Sequence, residues 1–150
     1  LKTFSKIYGL AGLRVGFAAA SPEVISTLEK VRQPFNMNSM GLAGALAALT
    51  DRVFLARSLK TNQAGRGFWE KQLNEMKIPF WPSQGNFLLA DVGKGLGQSG
   101  AEVYQACLRQ GVIFRPVTNY GLPHALRITF GTPEENKIAA KALLKVKGGK

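Results

Sequence analysis

The sequence predicts an α/β chain in three parts: an opening stretch over 1–50, a long connecting helix over 51–78, and a small C-terminal α/β sandwich over 79–150. Three observations predict it. Gly9, Gly12 and Gly16 lead through a strand-like run, LRVGFAAA. Apolar residues then recur at helical spacing from Val24 to Met76. After Pro79 and Pro82 the spacing changes, and strand-like runs alternate with helix-start signals, as in a layered α/β fold.

Each element has its own signal. Ser21-Pro22-Glu23 opens the first helix, because serine can cap, proline suits the first turn and glutamate suits the positive dipole end. Val24, Ile25, Leu28 and Val31 follow on one face, and Pro34 stops the helix. PFNMNS reads as a loop. The next helix carries Leu42, Ala45, Leu46 and Leu49 on one face, and its small residues suit close approach to another element. Asp51 caps a long helix reaching about Met76, with Leu55, Leu59, Trp69, Leu73 and Met76 in its stripe. Gly65 and Gly67 weaken it by about 1 kcal/mol each.

Asn86–Val92 (NFLLADV) is a strand, and Gly93–Gly100 (GKGLGQSG) is a loop. That loop lacks the Gly-Lys-Ser/Thr of a nucleotide-phosphate loop. Ser99 and Glu102 have capping-box spacing, and Gly111 closes their helix. Val112–Val117 and Ala125–Phe130 are strands on either side of a turn-rich TNYGLPH, where His124 is a polar loop residue. Thr132-Pro133-Glu134-Glu135 is a second capping box. It opens a last helix to about Val146, with Ile138, Ala139, Ala142, Leu143 and Val146 inward. Lys141–Lys150 reads as a solvated helix end and tail.

Composition narrows the function classes. The chain is 150 residues long and 45% hydrophobic, enough for a globular unit with a core. The single cysteine, Cys107, cannot form an internal disulfide, and its apolar neighbours mark it as a buried thiol. A reducing, cytoplasmic setting is the expectation. No apolar run is long enough to span a bilayer and the opening residues lack a signal-peptide pattern, so no membrane is expected as a partner. The net charge of +11 raises the alternative of a basic nucleic-acid-binding module. The basic residues are scattered rather than gathered into a stripe, so nucleic acid is not the expected partner. No metal site is expected.

The chemistry-bearing residues cluster at the opening. A lysine amine does covalent chemistry when it meets a carbonyl group, pyridoxal phosphate included. Lys6 has a hydroxyl beside it on Ser5 and another at Thr3, which an extended chain would point the same way. Arg14 adds a planar, permanently charged fork suited to phosphate oxygens. Gly9 and Gly12 let the backbone fold between them. In ALRITF, Arg127 lies mid-strand among apolar residues, where it calls for an anionic partner. A structural salt bridge or an edge-strand position is the alternative for Arg127, and likewise for Arg115.

SKIYGLAGLRVGF resembles the Schiff-base lysine motif of the class I/II pyridoxal-phosphate aminotransferases. VRQPFNMNS, SQGNFLL, and GVIFRPV followed by ALRITFGTPEEN are similar, in order, to segments of the histidinol-phosphate aminotransferase family, so that the resemblance covers essentially the whole chain. It implies a fold type I enzyme, with this chain as the tail of the large cofactor-binding domain, the connecting helices and the small domain. It implies that Lys6 forms the imine with pyridoxal 5'-phosphate and shuttles the proton. Ser5 and Arg14 would hold the cofactor phosphate, with Thr3 assisting. Arg127 would bind an anionic end of the amino donor or oxo acid, Arg115 would contact substrate phosphate, and Asn86 would line the substrate pocket. The implied reaction moves an amino group between histidinol phosphate and 2-oxoglutarate in histidine biosynthesis, in a homodimer. An aromatic or aspartate aminotransferase and a threonine-phosphate decarboxylase are the alternatives within the superfamily, and a catalytically dead interaction domain is one outside it. Full members carry a large domain before the lysine, which supplies the ring-stacking aromatic and the acid at the pyridine nitrogen. Neither is assigned here, so the chain is expected to be a C-terminal fragment, inactive alone.

Overall fold

The structure, a computed structural model, describes residues 1–149. Lys150, the last residue of the basic tail, lies outside the described residues. The chain divides into two units, Leu1–Leu59 and Lys60–Lys150, with the boundary inside a long helix.

In the first unit, β1 (Lys2–Thr3) pairs antiparallel with β2 (Gly16–Phe17), and a long loop joins them. α1 (Pro22–Val31) and α2 (Ser39–Thr50) follow, and α3 (Arg52–Glu75) begins. Phe4, Val15 and Ala45 form a small core, with Tyr8, Leu10, Leu13 and Ala48 packed around it. The expected strand LRVGFAAA shrinks to Gly16–Phe17. Leu13 ends a 3-10 turn over Ala11–Leu13, and Arg14 takes a left-handed backbone conformation that no strand accommodates. Ser21 stands at the start of α1 without a side-chain capping bond. The stripes of α1 and α2 exist, but Val24, Leu28, Val31, Leu42, Leu46 and Leu49 are exposed within this unit. On α2 the small residues Ala45 and Ala48 are the ones that pack. PFNMNS is not all loop, because Asn38 caps α2 and Ser39 opens it.

Asp51 caps α3 as expected, its Oδ1 accepting from the Phe54 N–H at 2.8 Å. The helix runs unbroken through Gly65 and Gly67. In the second unit it faces a four-stranded antiparallel sheet of order β3-β4-β6-β5. The strands are β3 (Phe80–Trp81), β4 (Phe87–Asp91), β5 (Arg115–Val117) and β6 (Leu122–Thr129). The helices are α4 (Val92–Leu96), α5 (Gly100–Leu108) and α6 (Pro133–Gly148). Trp69 and Leu73 of α3, Leu88 of β4, Leu126 and Ile128 of β6, and Leu143 of α6 are fully buried together. Trp69 Nε1 donates to Asn136 Oδ1 at 2.9 Å, so the one polar atom of that indole is satisfied inside the core.

Both capping boxes are present, Ser99 with Glu102 and Thr132 with Glu135. Several expectations are corrected. The loop Gly93–Gly100 contains α4, because buried Asp91 accepts from the Lys94 N–H at 3.0 Å and starts a turn there. β3 is a strand the sequence did not suggest. β5 is confined to Arg115–Val117, while β6 reaches back to Leu122. His124 therefore lies in a strand, half-buried, with Nε2 3.9 Å from Asp91 Oδ2. Ile138 is exposed, and Ala140 takes the inward place. No single described helix is long and apolar enough to cross a membrane.

Candidate active site

The residues singled out by the sequence fall into two groups, one in each unit. The first is the loop between β1 and β2. Phe4 N donates to the Val15 carbonyl at 3.1 Å, and Leu10 N donates back to the Phe4 carbonyl at 3.0 Å. Gly9 N closes a turn onto the Lys6 carbonyl at 2.9 Å, with Gly9 at φ 70°, where a side chain would be strained. These bonds bind the Lys6 turn and the approach to Arg14 into one hydrogen-bonded loop. Phe4 lies beneath it, packed on Tyr8 at 4.9 Å between ring centres and on Phe17 at 6.0 Å. Lys6 is exposed and Ser5 is half-buried.

Thr3 ends its strand, so it and Ser5 are not two steps along an extended chain. The Thr3 hydroxyl oxygen accepts from the Ser5 N–H at 3.1 Å and fixes the orientation of Ser5. Arg14 has φ 55° and ψ 48°. Its Nη1 donates to the Ala11 carbonyl at 2.7 Å, which leaves the other guanidinium N–H groups for an anion. Among the described residues no carboxylate pairs with Lys6 or Arg14. One loop thus presents a primary amine, a hydroxyl and a guanidinium. That donor set fits a ligand with an aldehyde and a phosphate.

The second group is on the sheet. Arg127 lies on β6, between β4 and β5, so it is not on an edge strand. Its guanidinium carbon stands 4.9 Å over the Phe87 ring. Its Nε is buried and has no hydrogen-bond partner, and no carboxylate pairs with it among the described residues. Among the described residues Arg127 thus has neither a salt-bridge partner nor an edge-strand position. Arg115 is its direct cross-strand neighbour. Like charges in that register repel, and an unmet buried donor costs about 1–3 kcal/mol. One anion between them would remove both costs. Arg115, Arg127, Thr129, Phe114 and Ile138 line a single open cavity of about 730 Å³.

Asn86 precedes β4 and is exposed; its carbonyl accepts from Phe130 N at 2.9 Å. It is not among the residues lining that cavity. Glu135 does line it, but its carboxylate is engaged by the N–H and hydroxyl of Thr132, which hold it below the usual carboxylate range. Cys107 is buried in the core of its unit, and burial pushes its thiol up to about 11. That excludes it as a ready nucleophile. Sequence reasoning missed Phe87, the platform beneath Arg127. It also missed Asn62 and Arg66 of α3, which hold the turn ahead of Asn86. Asn62 Nδ2 donates to the Gly85 carbonyl at 3.1 Å, and Arg66 Nη1 donates to Gln84 Oε1 at 3.0 Å. Helical i, i+4 spacing of Asn62 and Arg66 was the available signal.

Residues 1–143 match the model of the family described as Aminotransferase class I and II. The chain is 50% identical over 145 residues to histidinol-phosphate aminotransferase 2 of Pseudomonas fluorescens, covering 97% of this chain and 38% of that protein. It is 51% identical over 142 residues to the protein of the same name from Ralstonia nicotianae, again over 38% of that protein. The structure superimposes with a TM-score of 0.83 on histidinol-phosphate aminotransferase from Sinorhizobium meliloti, which was solved in complex with pyridoxal-5'-phosphate. That match is 29% identical and covers 98% of this chain and 40% of the other. The chain thus spans about 38% of the length of the curated relatives it matches.

Proposed function

The chain belongs to the class I and II aminotransferase family, and on that premise we propose that its whole gene product is a pyridoxal-phosphate-dependent histidinol-phosphate aminotransferase using 2-oxoglutarate as amino acceptor. Residues 1–50 are then the tail of the cofactor-binding domain, 51–78 the connecting helix, and 79–150 the small domain. The protein acts in the cytoplasm as a homodimer. The observation that carries the reading is the β1–β2 loop, which presents Lys6, Ser5 and Arg14 together and leaves both cations without a carboxylate partner among the described residues.

The donor set supports the roles that the family resemblance implies. Lys6 Nζ, a primary amine, would be the group that holds the cofactor at its aldehyde carbon. The same Nζ would serve as the base that moves the proton at the substrate α-carbon. Arg14 and the Ser5 hydroxyl bind the phosphate dianion, and Thr3 orients Ser5 through its backbone N–H. Pyridoxal phosphate, when bound, supplies an electron sink for the pair left on the α-carbon. Arg127 would bind the anionic end of the donor or oxo acid and Arg115 the substrate phosphate, while Asn86 lies outside the cavity those two arginines line.

The test is borohydride reduction of the whole gene product with pyridoxal phosphate, followed by peptide mapping. The pyridoxyl label is expected on Lys6, and Lys6→Ala should abolish turnover of histidinol phosphate with 2-oxoglutarate while still binding cofactor noncovalently. A label on another lysine overturns the reading.

A further inference from the structure

Arg14 presents a mechanical problem. It is a non-glycine residue in the left-handed region, a conformation that is strained and persists only where neighbours hold it. Within its own loop, Arg14 is held by its bond to Ala11. A second hold comes from a residue far along the sequence. Asn38 Nδ2 donates to the carbonyl of Leu13, the residue just before Arg14, at 3.1 Å. The same amide's Oδ1 accepts from the Gly41 N–H at 2.6 Å and so caps α2. Asn38 therefore joins the first turn of a twelve-residue helix to the peptide unit that sets the Arg14 backbone.

Packing reinforces the bond. A Cβ on Gly44 would stand 2.7 Å from Leu13 Cδ1, so α2 approaches Leu13 as closely as a helix without a side chain allows. Ala45, one residue on, is buried against Phe4 and Val15. The backbone of Leu13 is held by Asn38 and its side chain by α2.

We propose that Asn38 is a positioning residue for cofactor phosphate: its amide donor clamps the Leu13 carbonyl and holds Arg14 in the left-handed conformation that aims the guanidinium. The proposal rests on the reading that Arg14 binds that phosphate. Its two hydrogen bonds make the role separable from helix capping. Serine and aspartate cap as well as asparagine, but neither offers an amide donor to the Leu13 carbonyl.

The experiment compares Asn38→Ser and Asn38→Asp in the whole gene product, each with and without Arg14→Ala, measuring equilibrium affinity for pyridoxal phosphate and for pyridoxal, which lacks the phosphate. Asn38→Ser should weaken pyridoxal phosphate binding about fivefold, as expected for one lost hydrogen bond, with pyridoxal affinity and melting temperature near those of the parent. In the Arg14→Ala background the same change should have less than about a twofold effect, because the residue it acts through is gone. Asn38→Asp should behave like Asn38→Ser or weaken binding further. If Arg14→Ala weakens phosphate binding but Asn38→Ser does not, the clamp is wrong and the reading of Arg14 stands. An equal loss in both backgrounds, or an equal loss for pyridoxal, also overturns the clamp. If Arg14→Ala itself leaves pyridoxal phosphate affinity unchanged, the reading of Arg14 fails and the clamp fails with it.

Discussion

Arg127 is costly to its own fold, because a guanidinium with a buried Nε that meets no acceptor, placed opposite Arg115 on the next strand, is a poor choice for stability. Replacing it with an apolar residue of similar length should therefore leave stability equal or raise it, while anion binding suffers. We expect Arg127→Met to keep or increase the melting temperature and to raise the KM for 2-oxoglutarate by about tenfold or more, the worth of a lost charge-assisted pair. A lowered melting temperature with an unchanged KM would assign Arg127 to the scaffold instead. Arg14 differs, because its guanidinium is exposed and donates to the Ala11 carbonyl, so its cost lies in the left-handed backbone rather than in an unmet buried donor. Arg14→Lys keeps the charge and loses the fork, so cofactor affinity should fall about tenfold in an equilibrium titration. Unchanged affinity would remove Arg14 from the phosphate site. Cys107 gives a third expectation at this scale. Burial raises its thiol from 9.0 to about 11, so the folded state keeps the proton that the unfolded state gives up. Its contribution to stability is complete below pH 9.0 and is lost as pH rises toward about 11. At pH 8 a thiol reagent should react only at the rate of unfolding, and rapid labelling of the native protein would contradict that burial.

Among the elements, α5 and α6 are the most self-specified. Each begins with a reciprocal capping box, and the carboxylates of Glu102 and Glu135 are held below their usual range chiefly by backbone N–H bonds, from Ser99 and Thr132. A depressed carboxylate stabilises the fold above its unfolded value, about 4.3, and that stability goes as pH falls through the folded value. Thr132→Ala should cost about 1 kcal/mol by denaturant titration at pH 7. Glu135→Gln should flatten the acid limb of the stability curve below about pH 4.3; a limb identical to the parent's would show that the box carries no proton linkage. These boxes were legible in the sequence because all their partners lie within four residues. α4 was not, since GKGLG is poor helix material and the turn depends on Asp91, which packing buries at the end of β4. The early start of β6 was hidden too, because Leu122 pairs with Val117 across an irregularity in register that only the folded sheet defines. The same division runs through the site. Lys6, Ser5 and Arg14 sit in one linear motif and could be read there. Asn38 acts on Leu13 from 25 residues away, and the register that sets Arg115 opposite Arg127 is a property of the sheet.

At the scale of the molecule the two units are unequally provisioned, and the difference has a measurable consequence. The second unit buries Trp69, Leu73, Ile78, Leu88, Leu126, Ile128 and Leu143 almost completely. Each such side chain contributes on the order of 1.5–3 kcal/mol of transfer free energy, and more for the indole. The first unit has Phe4, Val15 and Ala45 as its buried core, while Val31, Phe35, Met40, Leu46 and Val53 are more than half exposed. Its loop is held largely by backbone bonds around Lys6 and Arg14 and by the Asn38 clamp, all near solvent. Local opening free energies track buried apolar contacts, so the units should not open together. We expect amide exchange of the 150-residue chain to show the slowest hydrogens on α3 beyond Trp69, on β4, on β6 and on α6, and exchange faster by orders of magnitude throughout residues 4–50. The exposed stripe should also bind a hydrophobic dye in the native state. Uniform protection across both units, with no dye signal, would mean that the small core of the first unit suffices to hold the Lys6 loop rigid.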